Sequence, residues 1–395
     1  MQTDNLRQEL ARARAHSDEL FELLDPAALH ERPIPERHRI IFYLGHLETF
    51  DWKQIAIRHL GEKAFHPEFD QLFEAGIDPE PGKAPSDKPA DWPSVDAVQD
   101  YKARVRNNID RLWDEASPEM RQMVIEHRDM HAETFAYMLH NLDHAKKRAP
   151  NTAPVENDFQ PKSEMLTIPT GTVTLGKRKG DGFGWDNEFE QQVAVIPGFS
   201  IGKYKVTNRE YLEYVKTGAS APHFWTERRG EWFYRGMFED IPLPLDWPVY
   251  VTQQEALAYA QSKGKSLPTE AQFHRAAYGT PDGRELNTLS AGGNFDFAYW
   301  DPIPVNASPA GDSPFGVAQL VGNGWEWTST LFGPFAGFQP SETYPGYSSN
   351  FFDDRHYVVK GASPRTSARL TRRSFRNWFR PEYPYTYTTF RLVEN

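Results

Sequence analysis

Glu126-His127-Arg128-Asp129-Met130-His131-Ala132-Glu133 lies inside residues 118–148, a segment whose apolar spacing predicts a helix. Four residues is slightly more than one helical turn, so the imidazoles of His127 and His131 project from the same face. Two imidazoles on one face can hold a metal ion when a third ligand arrives from elsewhere. His46 is the candidate, in Phe42-Tyr43-Leu44-Gly45-His46-Leu47-Glu48, a run that is also helical by pattern. Three neutral imidazoles suit iron, copper or zinc and leave positions open for substrate. With 13 histidines in the chain, an i,i+4 pair also arises by chance on a solvated helix, and the spacing by itself leaves both readings open.

Working outward, residues 1–150 read as a helical domain. Leu6, Leu10, Ala13, Leu20, Leu23 and Leu24 mark an amphipathic first helix. Residues 39–60 form a second, with His46 near its start. A third begins after Ser94, an N-cap residue, and runs to about residue 116. Residues 67–93, rich in Pro and Asp, are expected as a long loop. Four amphipathic helices in sequence imply a four-helix bundle, a common setting for metal centres. Residues 151–163 are polar and Pro-containing and are expected as a linker.

From residue 164 to residue 395 the texture changes. Short alternating runs such as Gly171-Thr172-Val173-Thr174-Leu175-Gly176 and Gln192-Val193-Ala194-Val195-Ile196-Pro197 are separated by Gly, Pro, Asn and Asp. Helices are expected at 208–216, at 252–262 and from Thr269, in Thr-Glu-Ala-Gln, to just before Gly279. The rest reads as loop with short strands. The whole is α+β, a helical bundle followed by a second domain with little regular structure.

Composition narrows the function classes. Hydrophobic residues make up 39% and charged residues 25%, ordinary for a globular protein, while aromatics at 14% point to a core built with large rings. A net charge of −11 argues against a general affinity for nucleic acid or anionic membrane. No apolar run approaches a membrane span, and residues 1–24 lack the apolar core of a secretion signal, so the expectation is a cytoplasmic protein. There is no cysteine. Disulfides, thiolate ligands and cysteine nucleophiles are therefore absent, and any sulfur chemistry must use a sulfur that the substrate brings.

Four runs in the second half resemble the formylglycine-generating-enzyme-like domain, a C-type-lectin-like fold. They are Lys203-Tyr204-Lys205-Val206-Thr207-Asn208-Arg209-Glu210-Tyr211, Gly264-Lys265-Ser266-Leu267-Pro268-Thr269-Glu270-Ala271-Gln272-Phe273, Gly322-Asn323-Gly324-Trp325-Glu326-Trp327-Thr328-Ser329, and the closing pair Ser374-Phe375-Arg376-Asn377-Trp378 and Thr389-Phe390-Arg391-Leu392. The first half resembles the DinB-like bundle, whose His-x3-His-x-Glu motif is present as His127, His131 and Glu133. Together the two halves resemble the non-haem iron sulfoxide synthases of ergothioneine and ovothiol biosynthesis. The resemblance implies Fe(II) on His46, His127 and His131, O2 as co-substrate, and a reaction that joins a thiol to the imidazole of a histidine derivative. A thiol, an imidazole and O2 gathered at one ion react as an intramolecular set. Formylglycine generation itself needs an active-site cysteine pair, which this chain lacks.

The resemblance also implies roles around the iron, in a site expected between the two domains. Tyr344 and Tyr347, in Glu342-Thr343-Tyr344-Pro345-Gly346-Tyr347, match the family's Tyr-x-x-Tyr. The first tyrosine gives a proton or hydrogen atom to oxygen at the metal, and the second helps hold the histidine derivative. A phenol titrates near 10 and is protonated at neutral pH, as a donor must be. Both are also readable as ordinary aromatic packing. Asn377 matches an asparagine that binds the substrate's carboxylate or ammonium end, or else caps the loop that follows. Glu133 and Glu326 read as supporting rather than ligating groups.

Three positions depart from the family pattern. Met130 stands where a Gln often hydrogen-bonds the substrate imidazole, and a thioether cannot donate that bond. Phe379 and Tyr383 stand where members using γ-glutamylcysteine carry an acid and a base. The departure favours free cysteine or another small thiol. Arg380, Lys83 and Lys88 are candidate carboxylate contacts or plain surface charges. The expected activity is therefore an Fe(II)- and O2-dependent sulfoxide synthase joining cysteine to a histidine derivative such as N-α-trimethylhistidine. The alternatives are an ovothiol-type 5-histidylcysteine sulfoxide synthase, a relative with another sulfur or selenium donor, or a non-catalytic binding module.

Overall fold

The computed structural model describes residues 2–74, 85–150, 161–289 and 292–395. The chain divides into two units, Met1–Asn151 and Thr152–Asn395. Residues 151–160 of the expected linker lie outside the described residues.

Among the described residues the first unit is a bundle of four long helices: α1 (Gln2–Glu22), α2 (Ile40–Asp51), α4 (Val95–Leu112) and α5 (Pro118–Asn141), with a short α3 (Pro67–Leu72) between α2 and α4. α1 packs along α5, and α2 along α4 and α5. Leu6, Leu10, Ala13 and Leu20 form the buried stripe of α1. Local chemistry fixes the helix starts. Ser94 Oγ accepts from Ala97 N at 3.3 Å, and Ser117 Oγ from Met120 N at 3.2 Å, with Pro118 in the first turn where its missing N–H costs nothing.

Three differences from the sequence reading have physical causes. α2 is not amphipathic: all twelve of its residues are buried, because α4, α5 and the segment around α3 enclose it. It continues into a π-helical stretch, Trp52–His59, closed by Leu60 N to Ile55 O. The fourth helix stops at Asn141 rather than 148, because Leu142 is extended and the chain then pairs with the end of α1, Arg148 N donating to Leu23 O at 2.7 Å. The stretch expected as loop carries α3, started by Pro67 and acidic in its first turn, and a 3-10 turn at Pro89–Asp91. There, Asp87 accepts from Arg32, from Arg39 Nε at 2.8 Å and from Trp92 Nε1 at 2.8 Å. Residues 75–84 of that stretch lie outside the described residues.

The second unit is built of short strands and short helices. The strands are β1 (Met165–Ile168), β2 (Gly171–Leu175), β3 (Gln192–Ile196), β4 (Phe199–Gly202), β5 (Trp225–Arg228), β6 (Glu231–Arg235), β7 (Asp240–Pro242), β8 (Gly324–Leu331), β9 (Tyr357–Ala362), β10 (Asn377–Phe379), β11 (Thr388–Thr389) and β12 (Val393–Glu394). They form sheets ordered β10-β9-β8-β11, β1-β4-β12 and β5-β6-β7, with β2–β3 a separate antiparallel pair. Helices α6 (Asn208–Val215), α7 (Gln253–Ser262) and α8 (Glu270–Tyr278) each begin with a capping box: Thr207 with Glu210, Thr252 with Glu255, Thr269 with Gln272. The core gathers Ile168, Phe199, Ile201, Phe273, Ala276, Val317, Leu320 and Val393. Glu326 is fully buried between Arg391, at 2.6 and 2.7 Å, and Lys205, at 2.7 Å, so this glutamate ties β8 to the chain end. Among the described residues no helix is long and apolar enough to cross a membrane.

Candidate metal centre

α2 supplies His46 and α5 supplies His127 and His131. A nitrogen from each ring lies within 4.8 Å of the other two. All three side chains are buried, with 5%, 2% and 1% of their surface exposed. Ring centroids are 5.4 Å apart for His46 and His127, 4.8 Å for His46 and His131, and 4.4 Å for His127 and His131.

Phe73 orients His46. His46 Nδ1 lies 2.7 Å from Phe73 O, and a carbonyl can only accept, so Nδ1 carries the proton and Nε2 keeps its lone pair. The close approach depends on Gly45, where an added Cβ would come within 2.6 Å of the Phe73 ring. Phe50 stacks flat on His127 at 3.4 Å. Among the described residues, neither nitrogen of His131, nor Nε2 of His46, meets a hydrogen-bond partner. Leaving such groups buried without a partner is costly. A metal ion is a partner that a set of three lone pairs suits, so these residues fit the ion.

Electrostatics agrees. Burial pushes the His46 imidazole down to about 4. Burial, with His131 and His46 adding to it, drives His127 well below its ordinary range. His131 goes the same way, by burial and then by His46 and Arg37. All three are neutral at pH 7, the state that coordinates.

The same helices carry a buried ion network that the sequence reading missed. Arg128, next to His127, holds Glu48 at 3.1 and 3.2 Å and Asp51 at 2.7 Å. Arg106 holds Glu48 at 2.8 Å and Asp18 at 2.6 Å, and Lys102 holds Asp18 at 2.6 Å. Every long helix contributes: Asp18 from α1, Glu48 and Asp51 from α2, Lys102 and Arg106 from α4, Arg128 from α5. The signal in the sequence was an acid two residues after His46 and a base one residue after His127, both within otherwise apolar spacing.

The remaining candidates fall in two places. Met130 is half-buried on α5, and Glu133 is buried. Lys88 is exposed, and Lys83 lies outside the described residues. Tyr344 and Tyr347, both half-buried, belong to one turn of the second unit, Tyr347 N donating to Tyr344 O at 3.1 Å with the ring centroids 5.8 Å apart. Tyr347 stacks on Trp185 at 4.1 Å and meets the Trp378 edge at 5.5 Å. Asn377 opens β10, and its Oδ1 accepts from Trp378 N at 2.9 Å, a local cap. Strand alternation gives Asn377 and Phe379 the face opposite Trp378. Phe379 stacks on Tyr383 at 6.2 Å, an uncharged pair, and Arg380 is half-buried.

Residues 9–163 match the DinB superfamily and residues 150–395 the sulfatase-modifying factor enzyme 1-like domain. A hercynine oxygenase of Mycolicibacterium thermoresistibile is 31% identical, over 80% of this chain and 77% of its own length. The chain belongs to the hercynine oxygenase family. Another family member, from Mycolicibacterium smegmatis, is 29% identical over 99% of this chain and 98% of its own length. The ergothioneine biosynthesis protein 1 of Schizosaccharomyces pombe is 30% identical over 94% of this chain. The chain spans about half the length of such fungal relatives, 54% and 56% in two of them. Family membership accounts for the architecture, an α+β chain with a DinB-type bundle ahead of a formylglycine-generating-enzyme-like, C-type-lectin-like domain.

Proposed function

We propose that this protein is an Fe(II)- and O2-dependent sulfoxide synthase that joins a small thiol to the imidazole of a histidine derivative, N-α-trimethylhistidine being the first candidate. The observation that carries the reading is the convergence of three neutral, buried imidazoles. The names of the relatives, a hercynine oxygenase and an ergothioneine biosynthesis protein, support it. The overall reaction balances as thiol S–H plus imidazole C–H plus O2 giving a sulfoxide plus water. Four electrons pass to O2, two from the sulfur and two from the ring C–H bond that the C–S bond replaces; one oxygen atom ends on sulfur and the other in water.

In this reading His46, His127 and His131 hold the iron, which supplies open positions where thiol, imidazole and O2 meet and electrons pass between them. Phe73 keeps the His46 ring in its ligating orientation. Tyr344 delivers a proton from its phenol, Tyr347 and Asn377 hold the histidine derivative, and Phe379 with Tyr383 lines the thiol side. An uncharged stacked pair there offers no ion pair to a dipeptide's charged ends, which favours cysteine over γ-glutamylcysteine. Met130 lacks a donor for the substrate imidazole, so recognition of that ring falls to other groups.

The deciding experiment loads the protein with Fe(II) without oxygen, adds cysteine and N-α-trimethylhistidine, and follows O2 uptake and product mass. Thiol-dependent uptake and a sulfoxide product, both lost in His127→Ala, are expected. Uptake no greater than in that variant would leave a binding module instead. NMR of the product separates this reading from the ovothiol-type one by the ring carbon that bears sulfur, and a thiol screen tests cysteine against other sulfur and selenium donors. Tyr344→Phe is expected to divert turnover toward oxidation of the thiol to its sulfinic acid. An unchanged rate and product ratio would remove Tyr344 from the mechanism.

A further inference from the structure

We propose that the turn at residues 185–188 is the positioning element for both substrate-facing segments of the second unit, with Asp186 setting the tyrosine turn and Glu188 setting the approach to Asn377. The proposal rests on the reading that gives Tyr344, Tyr347 and Asn377 their roles.

Asp186 is buried, 6% exposed, and its two oxygens take the two ends of the tyrosine segment: Oδ2 accepts from Ser341 N at 3.3 Å and Oδ1 from the Ser348 hydroxyl. Ser341 Oγ in turn accepts from Tyr344 N at 3.2 Å. One carboxylate therefore closes residues 341–348 into a loop whose middle carries both tyrosines. The residue before it, Trp185, stacks on Tyr347. Backbone and ring are held from the same four-residue turn.

Two residues on, Glu188 is fully buried and faces the other segment. It accepts from Arg372 Nε at 2.8 Å and from Ser374 Oγ at 2.6 Å, and closes its own turn through Trp185 N at 2.9 Å. Between them, Asn187 O accepts from Arg376 at 3.3 Å, the residue directly before Asn377. Hydrogen bonds made by charged groups are about twice as strong as neutral ones. Three consecutive residues thus fix two segments that are far apart in sequence and must act on one substrate. A shift of about 1 Å in such groups costs on the order of a hundredfold in rate, so the turn governs turnover without touching substrate.

The test measures amide hydrogen exchange and product partition on the iron-loaded protein. Asp186→Ala removes both hydrogen bonds to the segment and is expected to speed exchange within 341–348 by at least about tenfold. Exchange in β9 and iron affinity should stay unchanged, while the share of sulfoxide falls relative to sulfinic acid. Ser348→Ala, a smaller change that spares the fold, should move both readouts the same way. Unaltered exchange in 341–348 overturns the proposal. So does faster exchange with an unaltered product ratio, provided Tyr344→Phe shifts that ratio. If Tyr344→Phe shifts nothing, the tyrosine reading fails, and exchange in 341–348 alone decides whether Asp186 holds the turn.

Discussion

At the residue scale, the centre depends on one backbone carbonyl. His46 could present either nitrogen to an ion, and Phe73 O selects Nε2. Loss of such a supporting bond typically lowers metal affinity 10–100-fold. Gly45→Ala drives a methyl into the Phe73 ring and should weaken iron or cobalt binding by about that factor, read by competition with a coloured chelator. An unchanged affinity would mean that Phe73 does not set the ring. His127 and His131 share a helix, so their relative placement follows from helical geometry alone. The place of His46 does not, and neither does its tautomer.

At the element scale, four helices are tied by buried charges. Arg128 is 1% exposed and faces two carboxylates, Glu48 and Asp51, from α2. Removing one partner of a buried pair leaves uncompensated charge, worth about 3–5 kcal/mol. Arg128→Met should therefore lower the unfolding free energy read from urea titration by that amount, and a loss under about 1 kcal/mol would show that the network bears little of the stability. Exposed pairs such as Lys216–Glu213 should contribute almost nothing by comparison. The helix starts at Ser94 and at Thr269, in Thr-Glu-Ala-Gln, were readable because capping is local. The end of α5 was not, because it is set by pairing with the distant end of α1.

At the scale of the whole molecule, acid should act on the second unit through its buried glutamates. Burial alone would raise Glu188 and Glu326. Arg372 and Ser374 outweigh it for Glu188, and Arg391 and Lys205 for Glu326, so both are held below the ordinary range. A carboxyl depressed in the folded state binds protons more readily when unfolded, so stability rises with pH through that window. The stabilisation is complete above the unfolded value of 4.5 and is lost as pH falls through the folded values. Urea midpoints from about pH 5 to about pH 2 should fall steeply in the native protein and less steeply in Glu188→Gln. Equal slopes would argue that Glu188 is not the titrating group.

The sequence by itself determined what repeats over a few residues. Helical spacing put two imidazoles on one face, capping residues started the helices, and alternation with Gly and Pro marked the short strands. These signals are local, so one chain segment carries them whole. Only the tertiary structure decided what couples distant segments: His46 brought beside α5, Phe73 O on its ring, charges from four helices meeting in one buried network, and Asp186 joined to residues 341 and 348. Packing of apolar surface and the need to pair every buried polar group choose those partners, and neither leaves a fixed spacing along the chain.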